Sequence, residues 1–211
     1  LIFANILSKY SNGETQMEEK KLTKRQLQAI QTKSNIYETA IELMKTKNFQ
    51  DITIEEICGN AGVSVGAFYH YFSSKNDFLI EMYSRADHYF LEEVNQKLIS
   101  IRPIEKMIEY FVVYAKYNEM MGISTMKQLY NANNHLFITK GRGMQKVLES
   151  IIHEGQLEGE ILEEMSPEAI TEYLFIAARG VTYDWCLHDG QFSLIEQMRQ
   201  YMWRLVKGFV R

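Results

Sequence analysis

Five histidines, two cysteines and a short run of tyrosines are the residues with which this chain could do chemistry. His70, His88, His135, His153 and His188 form no His-Glu-x-x-His pattern and no His/Cys spacing of the kind that holds zinc. Cys58 and Cys186 lie far apart and make no Cys-x-x-Cys pair, so they read as reduced, small apolar core residues. Neither a P-loop nor a dinucleotide-binding glycine fingerprint occurs. Gly62-Val63-Ser64-Val65-Gly66 has the Gly-x-Ser-x-Gly spacing of a hydrolase elbow. That elbow needs a strand before the serine, whereas a capped helix precedes it here. No catalytic residues, metal or cofactor are therefore expected, and the chain does not read as an enzyme.

The cluster Tyr69-His70-Tyr71 is different. Phe68 and Phe72, four residues apart, would bury one face of a short helix and leave these three pointing outward or sideways. Exposed tyrosine and histidine suit a surface that donates hydrogen bonds to phosphates and packs rings against sugars and thymine methyls. Plain packing for the tyrosines and simple surface exposure for His70 are the competing readings. The block upstream supplies the frame. Thr53 with Glu56 reads as a capping box opening a short helix, and Gly62 closes it with the positive φ that glycine tolerates. Ser64 caps the next helix, Gly66 lets backbone approach a phosphate, and Ala61 and Val63 are small enough for two helices to cross closely. Lys75 adds a cation at the start of the following helix, for phosphate or simply for solvent.

The elements that must position this block are helical. Apolar residues recur at i, i+3, i+4 and i+7 almost throughout, and strand alternation is scarce. The pattern predicts helices over roughly 24–47, from Ile54, over Val65–Tyr71, from near Ser74 to Leu98, after Pro103, around Met144–Ile152, and over 167–188 and 193–210, with a less regular stretch at 123–137. That makes an all-α chain of about nine helices, three in a head and the rest in a larger body. Residues 1–20 are expected to be a poorly ordered N-terminal extension, 21–73 the DNA-binding head and 74–211 the body. No apolar run is long enough to span a membrane, and a cytoplasmic location is expected.

Net charge over the 211 residues is −4, which does not advertise a nucleic-acid binder. Its distribution is more informative. Residues 20–47 carry seven Lys/Arg against two acids, and residues 86–211 thirteen against seventeen. A basic end on an acidic body fits one face meeting phosphate.

A basic first helix, then Thr-Ile-x-x-Ile, Ala-Gly-Val-Ser-x-Gly-x-Phe-Tyr-x-Tyr-Phe and Ser-Lys, resembles the head of the TetR family of bacterial regulators. Phe78 stands where that family usually has Leu. The resemblance covers about residues 33–83 and implies an Ω-like homodimer whose second and third helices bind a palindromic double-stranded DNA operator under ligand control. It places Thr53, Ser64, Val65, Gly66, Ala67, Tyr69, His70, Tyr71 and Lys75 at the DNA. Val65 and Ala67 would face bases without hydrogen-bonding groups, implying contact with thymine methyls and readout of DNA shape.

In the body, the helices at 167–188 and 193–210 are apolar on more than one side and so need burial on two sides. A deep core in a monomer would do this, but a homodimer through the last two helices also answers the palindrome. A largely apolar or aromatic small-molecule effector, itself unidentified, is expected to contact Met107, Tyr110, Phe111, Tyr114, Tyr117, Met126, Tyr130, Phe137, Phe175, Arg179 and Tyr183. Arg179 is the charge amid an apolar helix. It would meet an anionic ligand, or equally an acid on another helix or on the partner chain. The function expected is a ligand-released repressor; the alternative is a TetR-like, ligand-dependent protein partner or an activator.

Overall fold

The structure is a computed structural model that describes residues 23–130 and 134–210. The expected N-terminal extension, 1–20, lies outside the described residues. Among those described there are nine helices and one isolated bridge, Ile161 to Val210. In chain order they are α1 (Lys24–Met44), α2 (Ile54–Ala61), α3 (Val65–Tyr71), α4 (Lys75–His88), α5 (Pro103–Met121), α6 (Ile123–Leu129), α7 (Gly143–Leu157), α8 (Pro167–Leu187) and α9 (Leu194–Val206). Past His88, α4 runs on through a π-helical turn, Tyr89–Val94, and a last turn at Asn95–Lys97. No helix among the described residues is long and apolar enough to cross a membrane.

The chain divides into two compact units between Phe78 and Leu79. The head thus extends past residue 73, where the sequence suggested it would stop. Phe78 explains this: its ring lies 5.1 Å from Tyr37, 5.7 Å from Phe49 and 6.3 Å from Phe72, so the first turn of α4 is head core. Around that aromatic cluster Ile36, Ala40, Met44, Ile57, Cys58 and Phe68 are buried, each on the apolar stripe of its own helix. Aliphatic and aromatic burial of this kind contributes roughly 1.5–3 kcal/mol per large side chain.

Local hydrogen bonding sets the turns of the head. Thr23 and Gln26 form a reciprocal capping box at the start of α1. Thr53 Oγ1 accepts from Glu56 N at 3.0 Å and Ser64 Oγ from Ala67 N at 3.1 Å. The capping box expected at Thr53 is only half formed, because the Glu56 carboxylate pairs with Lys47 across to the end of α1. Between α2 and α3 the chain reverses at Gly62, whose φ of 66° is left-handed, and Val63 N closes the turn onto Cys58 O at 3.0 Å. Asn35 fixes the first helix against it by donating to Ala61 O at 2.8 Å.

The body is organised around α5, which is buried on nearly every side: Met107, Tyr110, Phe111, Tyr114 and Ala115 are among its enclosed residues. It packs most extensively against α9 and also against α7, while α8 lies on α7 and α9. Glu119 on α5 caps α9 by accepting from Leu194 N at 2.9 Å, and Lys106 reaches Glu154 on α7 at 2.8 Å.

The left-handed backbone at Gly62 gives a direct test. Gly62→Ala forces a Cβ into that conformation and should destabilise the head by about 1–2 kcal/mol. A lowered urea midpoint, with the helical signal of the native state unchanged, is the expected result.

Candidate functional site

The nine residues expected at DNA all fall on the head, along α3 and its flanks. Thr53, Ser64, Val65, Gly66, Tyr69 and His70 are exposed, and Ala67, Tyr71 and Lys75 partly so. Phe68 and Phe72 are buried, which turns Tyr69 out to 54% exposure. The Tyr69 ring stands edge-on to Phe68 at 5.7 Å, and His70 edge-on to Tyr71 at 4.9 Å, so each projecting ring is braced by a neighbour. Thr53 and Ser64 accept backbone N–H bonds as caps, which leaves each hydroxyl proton free to be donated outward. At Gly66 the position of a Cβ is open apart from Ser64 Oγ at 3.9 Å.

Lys75 departs from expectation. Its Nζ donates to Phe49 O and, at 3.2 Å, to Gln50 O, and sits 4.6 Å from the centre of the Phe49 ring. Burial lowers its pKa, with Asp51 opposing. The side chain ties the loop after α1 to the start of α4, and only one N–H remains for anything else. Two loop carbonyls close together make a good receptor for an ammonium group, which has three N–H donors, and this accounts for the inward turn.

The body contains a cavity with a free volume of about 50 Å³, room for a few water molecules. Seven of the eleven expected ligand residues line it: Tyr114, Tyr117, Met126, Tyr130, Phe137, Phe175 and Arg179. Met107, Tyr110 and Phe111 are buried but outside its lining, because they face other packed sides of α5. Tyr183 is 49% exposed on the outer face of α8 and is not brought to the cavity.

Met121 of α5, on the same sequence pattern, also lines it, and residues not anticipated complete the wall: Met82, Tyr83 and Ala86 from α4, Asn118 and Leu129, and Arg142, Met144 and Gln145 at the start of α7. Arg142 carried a readable signal, since a cation at a helix N-terminus opposes the helix dipole. The structure supplies its reason. Arg142 forms a bidentate pair with Asp87 of α4, Nε to Oδ2 at 3.0 Å and Nη2 to Oδ1 at 3.1 Å, and Met144 N donates to the same carboxylate at 3.1 Å. Gly143 makes this junction possible, because a Cβ there would come within 2.6 Å of Leu91 Cδ1 and 3.0 Å of Asp87 O.

Polar groups in the wall are few. The Tyr114 and Tyr130 hydroxyls bond each other at 2.7 Å, and Tyr110 OH donates to Met144 O at 2.7 Å. Burial raises the pKa of Tyr83, Tyr110 and Tyr130, so these phenols stay neutral. Burial likewise pushes the Cys186 thiol up to about 11, as expected of an inert core cysteine. Among the described residues no cluster of His, Cys, Asp or Glu could hold a metal ion.

The chain thus combines a helix-turn-helix head with an all-helical body that contains a cavity. Residues 36–82 match the model for bacterial regulatory proteins of the tetR family. The chain is 22% identical over 180 residues, covering 82% of it, to the fatty acid metabolism regulator protein of Bacillus subtilis, of which 93% is covered. The fold is shared with Thermus thermophilus FadR in complex with lauroyl-CoA (TM-score 0.67, 21% identity, 85% of this chain and 96% of that one). It is shared too with Bacillus subtilis FadR in complex with stearoyl-CoA (TM-score 0.62, 20% identity, 83% and 98%). Residues 36–82 thus carry a head of the tetR type, and the chain as a whole shares the fold of these transcriptional regulators. Such proteins bind DNA and small-molecule effectors, act as dimers and are not enzymes. The Gly-x-Ser-x-Gly spacing at Ser64 is thus a helix cap and not a nucleophile elbow.

The Asp87 junction can be tested by itself. Both side chains of the pair are largely enclosed, 10% exposed for Arg142 and 19% for Asp87. Asp87→Asn removes the charge from a bidentate bond and should lower stability by about 2 kcal/mol, less than a fully buried pair because some solvent remains. An unchanged chemical-unfolding midpoint would show that the junction contributes nothing.

Proposed function

We propose that the chain acts in the cytoplasm as a homodimeric repressor that holds a palindromic operator through α3 and its flanks. A small molecule entering the body cavity releases it. The observation that carries the reading is the outward face of α3: braced, exposed Tyr69 and His70 beside two capping hydroxyls whose protons are free. Val65, 37% exposed, and Ala67 offer methyl groups toward bases, so sequence would be read by thymine contact and DNA shape more than by hydrogen bonds. Lys75 acts mainly as a brace of the head in this reading.

Dimerisation is assigned to α8 and α9. On α8, Tyr173, Ile176, Tyr183 and Leu187 recur on one face with Gly180 among them. They are exposed by 49%, 57%, 49% and 62% in the single chain. A contiguous apolar stripe left facing solvent marks an interaction surface, and an isologous contact across a two-fold axis would present two heads to the two half-sites of a palindrome.

The effector enters a cavity of methionine and aromatic side chains too small for it as it stands. Met82, Met121, Met126 and Met144 are the unbranched side chains able to swing aside. Ligand binding favours a second arrangement of α4, the helix that runs from head into body and carries Asp87, and the operator affinity falls with it. The two FadR proteins that share the fold are in complex with lauroyl-CoA and stearoyl-CoA, so compounds with an acyl chain, free acids or thioesters, are first candidates. A protein-partner role without DNA binding would leave the Tyr69–His70 face unexplained.

The test is a mobility shift with the chain's own upstream promoter DNA over a salt series, in which affinity should fall as salt rises. Tyr69→Ala combined with His70→Ala should weaken operator binding at least about tenfold while sedimentation still reports a dimer. Unchanged affinity would remove α3 from the interface. Separately, Ile176→Glu places a charge in the α8 stripe and should convert the protein to a monomer with little operator binding. A dimer that survives it would move the interface elsewhere.

A further inference from the structure

The body cavity holds two polar groups that the described residues satisfy only in part. The first is Arg179 on α8. Its Nη1 donates to Phe137 O at 3.1 Å and its guanidinium lies 5.8 Å from the centre of the Phe137 ring. No carboxylate stands within ion-pair distance of it among the described residues. A guanidinium has five N–H donors in a planar fork, and taking its charge out of water without an anion is costly. The alternatives open from sequence were an anionic ligand, an acid on another helix or one on the partner chain; no acid of the described chain pairs with it, and its bond to Phe137 O holds it at the cavity.

The second group is the Tyr83 hydroxyl on α4, only 9% exposed. Its oxygen accepts from Asn134 Nδ2 at 2.6 Å. The orientation of that amide is fixed, because Asn134 Oδ1 accepts from Leu136 N at 3.2 Å while Nδ2 also donates to Leu129 O at 2.9 Å. The Tyr83 proton is left with no acceptor among the described residues. Tyr83 stands edge-on to Phe137 at 5.7 Å, the residue whose carbonyl holds Arg179. Both unsatisfied donors therefore open on one corner of one cavity.

The other cation in the wall is already neutralised. Arg142 is taken up bidentately by Asp87, with its guanidinium 4.5 Å over the Tyr83 ring. Two guanidinium groups and one carboxylate leave the wall one positive charge in excess. Beyond this corner the wall is mostly apolar and adaptable, with Met82, Met126 and Phe175 among its members, and its other polar groups include the paired Tyr114 and Tyr130 hydroxyls, Asn118 and Gln145.

We infer that the effector is a monocarboxylate with an apolar or aromatic body, its carboxylate received by the Arg179 fork and the Tyr83 hydroxyl. This rests on the reading of the cavity as the effector site and narrows it to one chemical class. An acyl thioester, whose carbonyl carries no charge at the acyl end, would leave the Arg179 charge unmatched. A dicarboxylate would bring one charge too many.

The probes are octanoate and 3-phenylpropionate, each beside its neutral amide. Binding to the purified protein is measured by calorimetry, with operator release by mobility shift. The carboxylates should bind about 10–100-fold more tightly than the amides, the range expected of charge-assisted hydrogen bonds. Arg179→Gln should abolish that preference with little change in amide affinity, Arg179→Lys should restore part of it, and Tyr83→Phe should weaken carboxylates more than amides. Equal binding of acid and amide, or a preference that survives Arg179→Gln, overturns the assignment. So does binding of lauroyl-CoA with no binding of either carboxylate; in that case the cavity reading stands if Ala86→Leu, which fills the cavity, blocks the thioester. Carboxylate binding that Ala86→Leu leaves untouched places the site elsewhere, and then both readings fall.

Discussion

Asp87 is the point at which the body is fastened. One carboxylate accepts two bonds from Arg142 and one from Met144 N, so it neutralises a cation and caps α7 at once. An anion at a helix N-terminus is favoured by the dipole, whereas Arg142 in the same place is not. The arginine is tolerated because its charge is spent on Asp87 and its flat face lies on Tyr83. The geometry in turn depends on Gly143, which lets the start of α7 come close to the α4 backbone. Remove any of the three and the cavity loses the wall that α4 and α7 build together.

Just beyond this junction α4 changes its winding. The π-helical turn at Tyr89–Val94 carries Phe90 fully inward against Tyr110, 5.1 Å between rings, and lays Tyr89 almost flat against Tyr117 at 5.5 Å. Such turns insert one residue into an α-helical register. Within this turn two successive aromatic side chains, Tyr89 and Phe90, both meet α5. Tyr117 also lines the cavity, so the ring stack joins the widened turn to the space a ligand would occupy.

How much of this was legible in the sequence depends on how local the cause is. Thr53, Gly62 and Ser64 act on backbone within a few residues, so the helix-turn-helix could be read from their spacing. Phe68 and Phe72 could be read as buried because a seven-residue helix has room for only one apolar face. Lys75 could not, since its partners are carbonyls of Phe49 and Gln50, brought near only by the folded head. In the body, periodicity shows that Met107, Tyr110 and Phe111 are buried but not which neighbour buries them. Tyr183 belongs to the second apolar stripe of α8, which the sequence already separated from the first; the structure leaves that stripe facing solvent. Arg142 was masked by the glycines around it, which read as a turn, although a cation at the head of a helix is itself an anomaly.

The two units meet opposite demands in hydrogen bonding. In the head nearly every turn is closed from within: caps, the left-handed glycine and the Lys75 brace satisfy backbone groups at short range, and the donors left over point outward. A surface that must fit a fixed partner gains from such rigidity, because little conformational freedom is lost on binding. In the body the leftover donors point inward, at Arg179 and Tyr83, beside a cavity whose methionines can move. An interior with an unmet polar demand is less stable empty than filled, and a ligand that meets the demand shifts the population toward the arrangement that holds it. The same polypeptide therefore keeps its specificity in the unit whose bonds are complete and its responsiveness in the unit whose bonds are not.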